Sequence, residues 1–320
     1  MAFQQTTASS LDDVISQICA FAVANAGFTD QGTTTVSGNV VRRISKGGIY
    51  WSFVKNQSNI GGAGLSLWHL LCRMSYSVTN GAYPTSGNGQ REWTIMSCWN
   101  FPGPYPTLYL FTEGTAVHAV LELTTRVFNH ISFGSIIKTD TFTGGEYICS
   151  NFCNYRSNNL YQFDNSYTYT FNCGDGDSIG TNAGSPNTNA GYAQYLRSVK
   201  TTGQTGYEPD FCEYGYYRNN QAVIGSGIGG ICARLFDDTP NVATMRSVLL
   251  PQYVFVRNDS TGLKRISGYI PDVRLVPMTY LDPGEIILND WQVFPFIAKE
   301  SNNSNYPGSG KYGLAYKRTP

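Results

Sequence analysis

The sequence predicts a mainly β protein. It would consist of antiparallel β-meander or sandwich domains, one N-terminal amphipathic helix and a loop-rich central insertion. Two observations predict this fold class. Short apolar segments rich in Val, Ile, Tyr, Phe and Trp alternate with turn residues such as Gly, Pro, Asn and Asp towards both ends of the chain. One stretch, residues 11–22, instead carries apolar side chains at helical spacing.

The helix has recognisable start and stop signals. Ser9 and Ser10 are suitable N-caps, and each is followed three residues later by an aspartate, Asp12 or Asp13, which also suits the positive end of the helix dipole. Gly27 is the predicted C-cap. The apolar face is formed by four residues: Leu11, Ile15, Ile18 and Ala22. We expect this face to pack on the first β-sheet.

After the helix the pattern changes to strands. Residues 40–44 and 49–54 flank Ser45-Lys46-Gly47-Gly48, which predicts a β-hairpin. A final strand is predicted where Tyr312, Leu314 and Tyr316 alternate with other residues. The remaining predicted strands cover residues 68–78, 93–99, 108–111, 116–123, 127–137, 253–257, 263–269, 274–278, 286–288 and 291–296. This succession is typical of a meander of short antiparallel strands.

The chain divides into three predicted regions. Residues 1–150 would hold the helix and a β-meander domain, and residues 241–320 a C-terminal β-hairpin or barrel-like domain. Residues 151–240 are rich in Tyr, Asn, Gly and Ser with weak periodicity, which predicts a loop-rich insertion that packs on a partner. Seven tyrosines of this insertion are the predicted interaction residues: Tyr155, Tyr161, Tyr167, Tyr169, Tyr214, Tyr216 and Tyr217.

Charged residues are scarce. They make up 14% of the 320 residues, where about 25% is usual, and aromatic residues also reach 14%, with 22 Tyr. Interfaces are poor in charge and rich in aromatic residues, so the composition favours a surface that faces other chains. An ordinary all-β domain, which also favours Tyr and Phe, is the alternative. With 22 basic and 22 acidic residues and no basic run, we expect no nucleic-acid partner.

The sequence also bears on the cell compartment. No stretch approaches the roughly 18 apolar residues of a membrane helix, so no membrane partner is expected. The first residues lack the basic and apolar parts of a signal peptide, which favours folding in the cytoplasm. In that reducing compartment we expect the 8 Cys to be mostly buried thiols. Cys149 and Cys153 have no second pair that would complete a zinc site.

Two histidines flank a predicted turn. With Leu123-Thr124-Thr125 as the loop, His118 falls opposite His130, and Val120 falls opposite Phe128. Two facing imidazoles suit a metal ion, but no carboxylate or Cys nearby in the sequence completes a ligand set. The sequence therefore favours two structural histidines and no metal.

Other motifs give only weak indications of a metal, nucleotide or catalytic site. Asp175-Gly176-Asp177 resembles the start of a calcium loop, but the twelfth position holds Pro186 where such a loop needs Glu. Residues 225–230 are glycine-rich but lack the Lys-Ser/Thr of a phosphate-binding loop. Carboxylates for glycan cleavage would first be sought among Asp175, Asp177, Glu208 and Asp210. With three His and no GxSxG motif, we expect no enzymatic activity and no cofactor.

Seven segments carry a resemblance to a known family. They read VHAV (117–120), FNHISFGSIIK (128–138), FTGGEY (142–147), LLPQYV (249–254), GYIPDVR (268–274), LDPGE (281–285) and WQVFPF (291–296). Together they resemble a family of virion structural proteins of contractile-tailed bacteriophages, including baseplate proteins of the ripcord type. The resemblance covers roughly the first 145 and the last 75 residues, and the middle of the chain departs from it.

The resemblance implies a structural subunit of a tailed-phage virion that assembles in the bacterial cytoplasm. In the tail or baseplate it would latch the tail to the central hub. The implied partners are tail tube, hub, sheath or baseplate wedge proteins, and further copies of the chain in a trimer or hexamer. A neck or collar protein is one alternative. A receptor- or glycan-binding tail module, which the Tyr- and Asn-rich insertion favours, is another, and a hydrolase would need a cleft with two carboxylates.

Overall fold

The structure is a computed structural model that describes most of both ends of the chain. The described residues are 2–36, 38–60, 65–75, 94–97, 101–139, 147–152, 194–195, 207–210, 249–258, 264–295, 298–299 and 312–318. Within these ranges the protein is mainly β with antiparallel strands and one α-helix, which confirms the predicted class at that level.

The helix is α1 (Leu11–Asn25). The strands are β1 (Ala2–Ala8), β2 (Thr29–Val36), β3 (Asn39–Lys46), β4 (Ile49–Ile60), β5 (Leu65–Ser75), β6 (Thr94–Ser97), β7 (Tyr105–Thr112), β8 (Ala116–Thr124), β9 (Val127–Ser135), β10 (Ile137–Lys138), β11 (Tyr147–Phe152), β12 (Gln194–Tyr195), β13 (Tyr207–Asp210), β14 (Leu250–Asn258), β15 (Lys264–Pro277), β16 (Ile286–Ile287), β17 (Trp291–Pro295) and β18 (Tyr312–Lys317).

These strands form three sheets. The N-terminal sheet has the order β2-β3-β4-β5-β6, and the central sheet has the order β1-β7-β8-β9-β11-β12. The C-terminal sheet has the order β13-β14-β15-β18-β17-β16, and β10 also pairs with β15. Every strand predicted from the sequence overlaps an observed one. Two of them, at residues 263–269 and 274–278, are joined in β15.

Helix α1 forms where the sequence predicts it. Ser10 is the N-cap and accepts a hydrogen bond from the backbone N–H of Asp13 at 3.3 Å. The Asp13 carboxylate in turn accepts from the backbone N–H of Ser9 at 2.8 Å, which lowers the pKa of that carboxyl group. At the other end Ala26 is the C-cap, and the predicted cap, Gly27, follows it with φ +68°.

The predicted apolar face of α1 is buried, together with Val14, Cys19 and Phe21. The helix contacts strands of both the N-terminal and the central sheet. The prediction that it packs on the first sheet is therefore confirmed, and the buried face is wider than predicted because two sheets cover it. No helix in the described ranges is long and apolar enough to cross a membrane.

The central sheet is covered on both faces. On one face Phe133 packs against Phe53 of the N-terminal sheet, with ring centroids 5.1 Å apart. On the other face Phe111 stacks on Tyr316 of the C-terminal sheet, with centroids 5.2 Å apart. Strands β8 and β9 are consequently buried along almost their whole length. A polar side chain on either strand must therefore find its partners inside the protein.

A single set of buried apolar residues spans both ends of the chain. It includes Leu11 and Phe133 from the first 150 residues, and Val273 and Leu314 from the last 80. The proposed boundaries at residues 150 and 240 stay a prediction. Of the central region 151–240, the structure describes residues 151–152, 194–195 and 207–210.

Candidate functional site

Most of the sequence-predicted site residues lie outside the described residues. This holds for all seven tyrosines of the predicted insertion, for Asp175-Gly176-Asp177 and for the glycine-rich segment 225–230. Glu208 and Asp210 lie on β13, in register with Arg257 and Phe255 of β14. The candidate site that the structure does describe is a group of buried and half-buried polar side chains between the central and C-terminal sheets. We call it the inter-sheet polar cluster: Glu113, His118, His130, Ser132, Asp272, Tyr316 and Lys317.

The predicted pairing of His118 with His130 is wrong by two residues. In the structure His118 lies opposite Ser132, and Val120 lies opposite His130. The turn is Thr125-Arg126 instead of residues 123–125, because Arg126 adopts a left-handed conformation with φ 63°. Its backbone N–H donates to the Glu122 carboxylate at 3.0 Å, which supports this tighter turn. The two imidazoles therefore lie on the same face of the sheet without facing each other directly.

His118 connects the central sheet to β15. Its Nε2 lies 2.9 Å from the carbonyl oxygen of Pro271, and its Nδ1 lies 2.8 Å from Oγ of Ser132. A carbonyl oxygen can only accept, so Nε2 carries the proton and Nδ1 accepts the Ser132 hydroxyl. Burial lowers the pKa of His118 to about 4, and the bond to Pro271 opposes this shift only in part. The imidazole is neutral at physiological pH.

His130 makes the corresponding connection to β17 and β18. Its Nε2 lies 2.9 Å from the carbonyl oxygen of Pro295, and its Nδ1 lies 2.9 Å from the Tyr316 hydroxyl. By the same reasoning Nε2 donates and Nδ1 accepts the proton of Tyr316. Burial raises the pKa of Tyr316 well above its ordinary value, so this hydroxyl remains a donor.

The Ser132–His118 pair resembles part of a hydrolase triad, but its environment argues for a structural role. Both side chains have no exposed surface. The second nitrogen of His118 bonds a backbone carbonyl where a triad would place a carboxylate. A nucleophile must also meet its substrate, and this hydroxyl is enclosed between two sheets. The arrangement is suited to holding the sheets in register.

A second part of the cluster contains two carboxyl groups. Glu113, in the turn between β7 and β8, bonds Lys317 of β18, with Oε1 and Nζ 2.8 Å apart. Among the described residues, Oδ2 of Asp272 is buried without a hydrogen-bond partner. Burial, and then the neighbouring Glu113 carboxyl group, raise the pKa of Asp272 to about 7. Burial would also raise the pKa of Glu113, but Lys317 and Asp272 outweigh it and leave that pKa below its usual value.

Lys46 connects neighbouring elements by hydrogen bonds on the other face of the central sheet. Its ammonium donates to the carbonyl oxygens of Ala26 and Gly114, both at 2.7 Å. It also lies 5.3 Å from the centroid of the Phe28 ring. One side chain of the N-terminal sheet thus joins the end of α1 to the β7–β8 turn. Burial lowers the pKa of this lysine.

Within the described part of the chain, no group of three or more His, Cys, Asp or Glu side chains is placed to hold a metal ion. Cys19, Cys72 and Cys149 are buried thiols that form no disulfide, as predicted for the cysteines. Burial raises the pKa of Cys19 to about 12, which keeps that thiol protonated.

Sequence reasoning singled out His118 and His130 but missed their partners. Pro271, Pro295 and Tyr316 lie more than a hundred residues away along the chain, and no local pattern connects them. Glu113, Asp272 and Lys317 were missed for the same reason. The only local signal at Asp272 is its residue type, because Asp tolerates the left-handed backbone seen there, with φ 58°.

The sequence was also compared with known proteins. No model of a protein family matches this chain. No curated protein is significantly similar to it in sequence.

Proposed function

We propose that this protein is a non-enzymatic structural subunit of a contractile-tailed bacteriophage, located in the tail or baseplate, where it latches the tail to the central hub. The proposal rests on the segments within residues 117–147 and 249–296, which resemble virion structural proteins of that kind. Low charge and high aromatic content support it, because they are typical of a surface covered by other chains.

The proposal that the protein is not an enzyme rests on the hydrogen bonds of its buried polar groups. Each imidazole in the inter-sheet polar cluster has both ring nitrogens bonded to protein atoms. Such groups position one sheet against another and leave no lone pair for a substrate. We propose accordingly that the sheets form a β-sandwich scaffold that carries residues 151–240 as a partner-binding insertion.

A few exposed side chains support a role in assembly. Large apolar residues are exposed at the β16 end of the C-terminal sheet: Tyr280, Ile286 and Leu288. Leu288 also has a left-handed backbone, with φ 48°, which is unusual for a leucine. Exposed apolar side chains close together in the sequence are common where one protein contacts another.

Cryo-electron microscopy of the phage particle before and after contraction tests this proposal. We expect three or six copies around the tail axis, in contact with tube, hub, sheath or wedge proteins, and contacts that change on contraction. Copies at the neck would favour the collar alternative. A location at a fibre tip would overturn the latch and favour receptor or glycan binding, which the Tyr- and Asn-rich composition of residues 151–240 also fits.

A variant tests the role of the predicted insertion directly. Replacing Tyr155, Tyr161, Tyr167 and Tyr169 together by Ser should reduce incorporation of the protein into particles, because aromatic anchors dominate many interfaces. The melting temperature of the isolated protein should change little. A matched control replaces Val40, which is 58% exposed on β3, by Ser and should leave incorporation unchanged. Normal incorporation of the fourfold variant would contradict the assigned interaction residues.

A further inference from the structure

We propose that strand β2 is a docking edge for a second copy of this chain. Two copies pair β2 with β2 in antiparallel orientation, across a two-fold axis at Thr34, and their N-terminal sheets become one continuous sheet. The inference does not depend on the proposed role in a virion, because it concerns only the edge of one sheet.

Strand β2 is an end strand of the N-terminal sheet. It pairs with β3 on one side, and within the described part of the chain no strand pairs with it on the other. The side chains of Thr33 and Thr35 are exposed, and that of Thr34 is half-buried. An end strand of this kind presents backbone N–H and C=O groups that can pair with another strand.

The turn between β2 and β3 determines which backbone groups face outwards. Val36 lies opposite Asn39 with only a two-residue turn between them, so these two residues exchange hydrogen bonds with each other. Bonded and non-bonded pairs alternate along an antiparallel ladder, so Thr34 also directs its backbone N–H and C=O towards β3. Those of Thr33 and Thr35 point away from β3. The outward donors and acceptors are therefore placed symmetrically about Thr34.

This symmetry fits a second copy of the same strand. With the two-fold axis at Thr34, Thr33 of each copy lies opposite Thr35 of the other copy, and the two residues exchange N–H to C=O hydrogen bonds. The two Thr34 residues face each other at the axis. Every cross-strand pair at the axis is then Thr with Thr, a combination that stabilises antiparallel sheets.

No charged side chain on this part of the edge opposes the pairing. Residues 33–36 are three threonines and a valine. Their β-branched side chains favour a strand, and the segment lacks the Lys or Pro that commonly protects a sheet edge. The acidic residue of β2, Asp30, is bonded to Arg42 of the same chain. Two copies can therefore approach without repulsion between like charges.

The regular edge is short, so the association should be weak. The pairing of β2 with β3 shifts register between Asp30 and Thr33, where Gly32 has φ +72° and its N–H donates to Asp30 Oδ1 at 2.8 Å. The turn to β3 ends the edge on the other side. We expect an interface smaller than the ~1,200 Å² of stable complexes. The dimer should therefore be reversible, with a dissociation constant on the order of 10–100 µM.

Analytical ultracentrifugation of the full chain at concentrations up to ~200 µM measures this association. Thr35→Pro removes an N–H that faces outwards, and proline is tolerated at such positions of edge strands. The variant should keep the Tm of the wild type, while its dissociation constant should rise by ~10-fold or more. Thr35→Val is the matched control, because it keeps the N–H and should dimerise as the wild type does.

A charge-swap experiment tests the register of the two strands. Thr34→Lys and Thr34→Glu each place two like charges opposite each other at the axis, so neither variant should dimerise alone. An equimolar mixture of the two variants should dimerise again, because opposite charges then face each other. These variants also decide the question if Thr35→Pro fails to fold.

Three results would overturn the proposal. The first is a wild-type protein that shows no self-association at ~200 µM. The second is an association that a folded Thr35→Pro variant leaves unchanged, because the contact would then use another surface. The third is a mixture of Thr34→Lys and Thr34→Glu that associates no better than either variant alone. A ring of copies formed through another surface would remain intact in all of these variants, so the proposed role in a virion is tested separately.

Discussion

The Tyr316 hydroxyl lies 2.9 Å from Nδ1 of His130, and the two rings are nearly parallel, with an interplanar angle of 18°. Tyr316 also stacks on Phe111 at 5.2 Å, so one buried side chain contacts strands β7 and β9 of the central sheet. Because His130 also bonds the Pro295 carbonyl, this pair connects four strands: β7 and β9 of the central sheet, and β17 and β18 of the C-terminal sheet. The polar atoms of the pair and its apolar contacts can be tested separately.

Replacing Tyr316 by Phe removes the hydroxyl and keeps the ring. We expect a loss of ~1–3 kcal/mol in the free energy of unfolding, because His130 Nδ1 loses a donor in a site without water access. Chemical denaturation of both proteins measures the difference. Tyr280→Phe is the matched control, since Tyr280 is 44% exposed and should change stability by less than ~0.5 kcal/mol. Equal effects of the two substitutions would contradict the role assigned to the buried hydroxyl.

Ile15→Asp tests the packing of α1. Ile15 is 6% exposed and belongs to the shared apolar core. A lone carboxylate there has no partner, so we expect the free energy of unfolding to fall by at least ~3 kcal/mol. Ser16→Asp, on the exposed side of the next position, is the control and should be nearly neutral. Wild-type melting of Ile15→Asp would show that the helix is not docked as described.

The helix and the β3–β4 hairpin could be predicted because the residues that determine each of them lie close together in the sequence. Ser10, Asp13 and the apolar spacing lie within one segment, and Gly47 and Gly48 supply the left-handed turn at φ 59° and 79°. β1 was missed because its residues, Ala2–Ala8, are largely polar. It is a strand because it pairs with β7, which is more than ninety residues away.

The candidate site was less predictable than the fold. His118 and His130 attracted attention as a pair, but their register depended on Arg126, whose left-handed backbone no sequence rule anticipates. The partners of both imidazoles are backbone carbonyls as well as side chains, and carbonyls leave no signature in a sequence. Glu113 acts on the pKa of Asp272 only because the two sheets meet.

Lys46→Met tests the tie between the N-terminal sheet, the end of α1 and the β7–β8 turn. Met keeps much of the side-chain volume but leaves the carbonyls of Ala26 and Gly114 without their charged donor. We therefore expect the free energy of unfolding to fall by ~1–3 kcal/mol. Lys55→Met is the control. Lys55 pairs with Asp12 at the surface, and such exposed pairs contribute ~1 kcal/mol or less. Equal losses in the two variants, measured by urea denaturation, would contradict the proposed tie.

His118 should make the protein sensitive to acid. Its folded pKa of about 4 lies below the ordinary value of 6.5. The stability that its neutral form contributes is therefore complete above pH 6.5 and is lost as the pH falls through 4. The full effect is on the order of 3 kcal/mol. In His118→Gln the amide can donate to the Pro271 carbonyl and accept from Ser132, but it cannot be protonated in this range.

Unfolding free energies at pH 7 and pH 4.5 measure this difference. The difference in unfolding free energy between the wild type and His118→Gln should become smaller at pH 4.5 than at pH 7, or change sign. Only the wild type has a buried imidazole, which at low pH is protonated more readily in the unfolded chain than in the folded protein. Asp13 and Glu113, whose pKa values are lowered, also lose their contribution in acid, but equally in both proteins. An identical acid profile for the two proteins would mean that His118 becomes protonated without disturbing the contact between the sheets.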